Sequence, residues 1–471
     1  MRTECRAKSY EFQPLGKRAV VAGFDGGTIT SDGGGLLLRE LEAKRRLIEQ
    51  FAECFVDYRK PELIEHTVEE LVGQRIYGLA LGYEDLNDHE RLRQDPLLAV
   101  LVGKADPTGQ DRAREPDRGK ALAGKSTLNR LELTPEGANA ESRYKKIGVD
   151  GAQVEEFFLR VFVQGQEQAP RELVLDLDAT DDPVHGDQEG RFFHGYYGQY
   201  CYLPLYVFCN GFVLWAQLRR SNIDASEGSV EVLERIVGYL RQAWPEVKII
   251  VRGDSGFSRE ALMNWCELHQ VDYVLGLARN SRLEAALQVE LEQARQQWAK
   301  TGHAVRCFKD FHYQTRDSWS RQRRLVGKAE YLDKGANPRF VVTSLSSQSW
   351  EAQPLYEHLY CARGEMENRI KEQQLDLFAD RTSAATMRAN QLRLWFSSVA
   401  YLLLHQLRCW ALKGTDYAAA QCGTLRLRLL KIGAQVRISV RRVLISLATG
   451  FPGEAIFQQA WAALQALPGD A

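Results

Sequence analysis

Apolar and polar positions along the chain fall into two regimes. From Leu36 to about Gln164, apolar residues recur three and four apart in LLLRELEAKRRLIEQF, TVEELVGQRIYGLALGY, LLAVLVGK, TLNRLEL and VEEFFLRVFVQ. That spacing predicts a mostly helical region. A strand-like run, RAVVAGFDGG, comes before it, and the polar, Pro- and Gly-containing stretch 105–119 predicts a loop. At Leu173 the period drops to two: ELVLDLDATDD sends Leu173, Leu175 and Leu177 to one face of a strand and Val174, Asp176 and Asp178 to the other. Two β-rich runs, YCYLPLYVFC and FVLWAQLRR, then flank Asn210-Gly211, a strong hairpin signal. A helix follows (SEGSVEVLERIVGYLRQAW, with Ser226 or Ser229 as cap), then a buried strand ending at Asp254 (VKIIVRGD), a helix (SREALMNWCELHQ) and a strand (VDYVLGL). Residues 279–353 are basic, aromatic and strand-like, and PLYEHLYCARGEMENRIKEQQLDLF reads as a helix.

The order strand, strand, strand, helix, strand, helix, strand predicts an α/β class. A hairpin-led mixed sheet with acids at the ends of its first and fourth strands fits a ribonuclease-H-like core. In that fold strands one and four are neighbours, so Asp178 (or Asp176) and Asp254 would sit at adjacent strand ends. A carboxylate ending a buried strand is unfavourable without a partner, and a divalent cation is the usual one. On the late helix, Tyr360, Arg363, Glu367, Lys371 and Gln374 are three or four apart and share a face. A salt-bridge ladder would explain that stripe if it stood alone.

Charge sharpens the picture. The net charge of −1 excludes indiscriminate polyanion binding, but its distribution is uneven. Seven of the twenty residues from 171 to 190 are acidic, whereas 381–450 holds eleven Lys or Arg and one acid, Asp416. Residues 301–328 are also basic, including RDSWSRQRR with Trp319, Arg323 and Arg324. An acidic patch followed by basic ones is expected of a metal-dependent enzyme acting on nucleic acid. The alternating basic and apolar stretch 424–442 predicts an amphipathic strand pair or helix that binds DNA. Nine scattered cysteines without a C-x-x-C pair read as a reduced, cytosolic protein. MRTECRAKSYEF lacks the apolar centre of a signal peptide, and Leu394–Leu404 is too short to span a bilayer.

Two motifs mislead. GFDGGT is explained by glycines for a tight turn. Residues 119–126, GKALAGKS, match a nucleotide-binding expression, yet the preceding DRAREPDR cannot be the buried strand such a loop requires. A helix N-terminus carrying Lys125 remains suited to a DNA phosphate. No nucleotide cofactor is expected.

In DLDATDD, VRGDSGF and Y-x2-R-x3-E the sequence resembles the DDE transposases of bacterial insertion sequences, most closely the insertion-sequence thirteen-eighty group. TSDGGGLLLRELE and AGKSTLNRLE share the likeness, which spans roughly 20–410. The resemblance implies Asp178, Asp254 and Glu367 as catalytic, metal-holding residues, with Mg²⁺ as cofactor and Mn²⁺ as its substitute. It also implies phosphate contacts from Tyr360, Arg363 and Lys371. Its partners would be element ends and target DNA, bound by a homodimer in the cytoplasm of a bacterium, at the nucleoid. The signature continues E-x6-K, but this chain has Gln374 where the lysine would stand. Asp178 is favoured over Asp176 because Ala-Thr follows it. Trp319 is a candidate for stacking on a displaced end base, against an ordinary role in a β domain. His185 and His194 read as structural or substrate-contacting residues, since Mg²⁺ prefers oxygen.

The expected organisation is a mostly helical, DNA-end-binding region over 1–168 and a core over 169–278 and 354–410. A β-rich insertion domain over 279–353 would interrupt that core, and a basic region over 411–471 would close the chain. The expected reaction is Mg²⁺-dependent strand cleavage and strand transfer. The rivals are a non-catalytic DNA-binding descendant, a nuclease without strand transfer, and a nucleotide-driven enzyme using Lys125.

Overall fold

The structure, a computed structural model, describes residues 9–468; Cys5 and the start of the segment read for a signal peptide lie outside them. The chain divides into two units, one comprising Met1–Gly148 with Val399–Ala471 and the other Val149–Ser398.

The first unit is mostly helical. Thr67 and Glu70 form a reciprocal capping box on helix Val68–Ala80, and Asp95 caps Pro96–Val102, whose proline opens the first turn. The TSDGGG motif ties the N- and C-terminal segments of this unit together. Asp32 accepts hydrogen bonds from Lys431 Nζ and the Tyr83 hydroxyl, both at 2.6 Å. A Cβ on Gly34 would lie 2.1 Å from the Leu429 carbonyl oxygen, so only glycine permits this approach. The basic stretch 424–442 ends a helical turn and begins a hairpin, Ala434–Ser439 with Arg442–Leu447, which pairs with Ile29–Thr30.

The second unit opens with helix α1 (Gly151–Gln164) and strand β1 (Glu172–Ala179). Strands β2 (Leu205–Cys209) and β3 (Phe212–Gln217) form the hairpin. Asn210 and Gly211 both have positive φ, as the two-residue turn demands. Helix α2 (Ser229–Ala243), β4 (Lys248–Gly253), α3 (Glu260–Leu268) and β5 (Asp272–Leu277) follow. The cap of α2 is Gly228, at φ 74, with Ser229 Oγ donating to the Ser226 carbonyl instead. The strand order β3-β2-β1-β4-β5 is antiparallel up to β1 and parallel from β1 to β5.

Residues 279–353 depart from expectation. Helices Ser281–Ala286 and α4 (Gln288–Thr301) come first, then β6 (Val305–Tyr313), β7 (Arg323–Leu332) and β8 (Arg339–Thr343). These strands form no sheet of their own. β8 pairs with β5, β7 with β8 and β6 with β7, so they extend the same sheet. The β-rich segment expected as an insertion domain thus joins its strands to the edge of the core sheet. The physical reason lies in β5, buried along most of its length, whose outer edge needs backbone partners. Only Ala294 of α4 is buried, which leaves no apolar stripe to betray a helix in the sequence.

A helical run over 352–376, α5, crosses this sheet and buries Leu355, Tyr356 and Leu359 against Ile250, Val274, Val326 and Val341. It widens to π geometry at Leu355–Tyr360 and Glu372–Asp376 and tightens to a 3-10 turn at Cys361–Arg363. Among the described residues, no helix is long and apolar enough to cross a membrane. The eight cysteines of the described region are all free thiols.

Candidate active site

Alternation along β1 buries Leu173, Leu175 and Leu177, which leaves the acids on the opposite face. β1 and β4 pair in parallel with Asp176 opposite Arg252 and Leu177 opposite Gly253. One further step along both strands sets Asp178 beside Asp254. Asp176 is occupied otherwise: Arg252 grips it through Nε at 2.5 Å and Nη2 at 2.7 Å. The same guanidinium donates to the Leu359 carbonyl, inside the π segment of α5. One buried arginine therefore fastens α5 to the end of the β1–β4 pair. The next turns of α5 carry Arg363 and Glu367.

Asp178, Asp254, Arg363, Glu367, Lys371 and Gln374 line one cavity of about 570 Å³. Asp178 accepts from the Ala179 N–H at 3.1 Å, and its carboxyl is pushed up to about 6. Burial is the main cause; Arg363 opposes it, while Asp254 and Glu367 add to it. Asp254 accepts from the Gly256 N–H at 2.8 Å, and a Cβ at Gly256 would stand 2.9 Å from the same carboxylate oxygen. Arg363 bonds Glu367 at 2.5 Å and approaches Asp178 at 3.9 Å. Lys371 is exposed at the cavity and forms no ion pair among the described residues.

Two members of the late-helix stripe are placed differently. Tyr360 does not line the cavity; it packs beneath, its hydroxyl facing Gly276 of β5, where a Cβ would be 2.5 Å away. Gln374, standing where the signature has lysine, donates to Asp182 Oδ1 at 2.8 Å and to the Asp181 carbonyl at 3.1 Å. It pins the segment after β1.

The three residues singled out in the basic stretch are internal. Arg323 is buried and ion-paired to Glu260 and Glu267 of α3, at 2.7 and 2.6 Å. Arg324 is buried with Asp310 at 2.5 Å and donates to the Leu345 and Trp350 carbonyls. Trp319 is buried edge-on to Tyr313 beneath Arg323. These three side chains serve packing and charge neutralisation, so neither phosphate nor base reaches them as the protein stands.

In the first unit, Lys125 begins helix Lys125–Glu132 at the surface, but a Glu90 carboxylate oxygen already accepts its backbone N–H at 2.8 Å. Residues 115–117 form a 3-10 turn and no strand leads directly into Gly119, so the phosphate-loop context is missing. The Arg75–Glu132 ion pair, buried at 2.9 Å, gives the end of AGKSTLNRLE a structural role.

Of the cavity's rim, the sequence singles out His194 but not Tyr196 or Tyr197. His194, Tyr196 and Tyr197 line it from a small three-stranded sheet (Asp182–Pro183, Gln199–Tyr202, Phe192–His194), whereas His185 is exposed and does not. The density of aromatics in RFFHGYYGQY was the available signal.

No curated protein matches the chain. Among solved structures it is similar to a piggyBac transposase synaptic complex with hairpin DNA, at 12% identity over 85% of this chain and 80% of that one, with a TM-score of 0.38. The family described as Transposase DDE domain group 1 matches residues 12–469, nearly the full length, and the chain belongs to that family.

Proposed function

We propose that this protein is a DNA transposase that cuts the inverted-repeat ends of an insertion sequence and joins them to target DNA, using Asp178, Asp254 and Glu367 to hold Mg²⁺ or, in its stead, Mn²⁺. One observation carries the reading: the β1–β4 register continues Asp178 beside Asp254, at a cavity that Glu367 also lines. The strand order β3-β2-β1-β4-β5 supports a ribonuclease-H-like core, and the engagement of Asp176 by Arg252 supports Asp178 as the first acid.

The donor set suits a hard divalent cation, since all three groups offer carboxylate oxygens. Burial, helped by the neighbouring acids, raises Asp178, and Arg363 opposes that from between Asp178 and Glu367. Among the described residues no three ligating groups are already gathered about one point, so the acids converge on a cavity without forming a finished cage. A divalent ion bound there supplies the positive charge that activates a water or a DNA 3′-hydroxyl and steadies the leaving oxygen. Arg363 and Lys371 hold backbone phosphates at the cavity mouth. Tyr360 acts from below, wedging α5 against β5. In the other unit, exposed Arg437, Arg441 and Arg442 of the C-terminal hairpin, with Lys125, offer a basic surface to element ends. A homodimer on paired ends follows from the two-ended reaction.

The test is cleavage of end-bearing DNA with Mg²⁺ by wild type and by Asp178→Asn, Asp254→Asn and Glu367→Gln. Each substitution is expected to eliminate cutting and leave DNA binding intact. A variant that cuts at full rate removes that residue from the site. Binding without cutting by wild type identifies a non-catalytic descendant, and cutting without joining of a pre-cut end identifies a nuclease.

A further inference from the structure

The hairpin formed by Phe192–His194 and Gln199–Tyr202 displays rings that the fold does not use. Phe193 is 57% exposed, Tyr196 87% and Tyr200 47%. Aromatic rings usually carry much of a core, and several exposed together mark a surface made for a ligand. The hairpin itself is firmly held: Tyr202 donates to the Glu189 carbonyl at 2.5 Å and Ser221 to the Phe192 carbonyl at 3.0 Å. Rigid exposed rings are suited to stacking.

Their arrangement selects the ligand. Phe193 and Tyr200 are direct cross-strand partners, 5.6 Å apart and edge-to-face. At the tip, Tyr196 and Tyr197 pack edge-to-face at 5.0 Å, and both line the cavity that holds Asp178, Asp254 and Glu367. The hairpin thus presents rings at two places, Tyr196 and Tyr197 at the cavity and Phe193 and Tyr200 on its strands. Cations accompany it: the Arg191 guanidinium lies 4.6 Å over Tyr200, and exposed Arg220 forms no ion pair among the described residues. Exposed rings beside guanidinium groups, Arg191 held by Asp187 and Arg220 without an ion pair among the described residues, fit a chain of bases and phosphates, whereas a protein partner would call for a closed apolar patch.

Resting on the transposase reading, we propose that the 192–200 hairpin is a stacking platform for unpaired nucleobases of the DNA strand whose phosphodiester enters the acid cavity. Bringing a scissile phosphate of a duplex to a recessed site requires the flanking bases to unpair, and the platform compensates for their lost stacking.

The test compares binding of a blunt duplex with the same duplex carrying a short single-stranded thymine tail, and follows 2-aminopurine fluorescence in the tail. Wild type is expected to favour the tailed duplex by about tenfold or more and to quench the probe. Tyr196→Ala, whose ring is too exposed to matter for folding, and Phe193→Ala with Tyr200→Ala are expected to lose most of that preference while blunt-duplex affinity holds. Tyr196→Trp is expected to keep it and Tyr196→Leu to lose it. Absence of tail preference in wild type, or preference unchanged in the alanine variants, overturns the proposal. So does a change in self-association with tail binding intact, which would make the face a contact between copies. Asp254→Asn separates the two readings. If it abolishes cutting and keeps the preference, platform and active site both stand. If wild type never cuts but prefers tails, the catalytic reading fails and the platform stands. A protein that cuts without preferring tails sinks the platform alone.

Discussion

Replacing Asp182 with asparagine is expected to remove a pH dependence from the protein's stability. Asp182 is wholly buried; its Oδ1 accepts from Gln374, and its Oδ2 has no partner among the described residues. Burial pushes its carboxyl up to about 8, with the Gln374 bond opposing and Asp380 and Asp181 reinforcing. The unfolded chain releases this proton near the ordinary value of 3.8. Between those limits the folded state binds one more proton than the unfolded. The stabilisation is therefore complete below about pH 4, declines as pH rises towards 8, and is flat above. At about 1.4 kcal/mol per pH unit, moving from about pH 5 to about pH 7.5 lowers stability by roughly 3 kcal/mol through this group. Asparagine keeps the shape and cannot ionise. Urea unfolding followed by tryptophan fluorescence should show the Asp182→Asn variant gaining that amount on wild type over the same interval. Gln374→Lys, which restores the residue of the related signature, should pull the carboxyl down by ion pairing and likewise flatten the profile. Parallel profiles for wild type and Asp182→Asn would refute the reasoning, because they would mean that the folded protein holds no proton there.

Three further outcomes are expected. Arg252→Met leaves Asp176 buried without its partner and should destabilise the protein by about 3–5 kcal/mol in thermal or chemical unfolding. Gly256→Ala brings a methyl against the Asp254 carboxylate and should reduce cutting by about 100-fold with little change in unfolding midpoint. Lys371→Ala should weaken DNA binding and lower the salt dependence by about one phosphate contact, while Arg323→Ala should leave DNA affinity alone and reduce stability.

The strands around the site were legible because a carboxylate closing an apolar run is anomalous, and Asp178 and Asp254 each do so. The Asn210-Gly211 turn and the helix Val68–Ala80 with its Thr67–Glu70 cap were legible for local reasons as well. The burial of Arg323, Arg324 and Trp319 was not legible, because a count of charges does not reveal who pairs with whom. Their carboxylates, Glu260, Glu267 and Asp310, lie on other elements, two of them some sixty positions earlier. The choice between Asp176 and Asp178 likewise needed a register, since both acids face the same side of β1 and only pairing with β4 shows that Arg252 takes the former. Gln374 looked like a defect in a signature until its partner, Asp182, came into view.

Continuity of the sheet past β5 bears on how this protein can shrink. Were residues 279–343 an appended module, a shorter relative could dispense with them and keep its chemistry. Here β8 completes the backbone bonding of β5, and β5 flanks β4, which leads to Asp254. Excising the segment would strip the outermost core strand of its neighbour and bare an apolar, adhesive margin one strand away from Asp254. Clumping, rather than a smaller enzyme, is what such a deletion should yield.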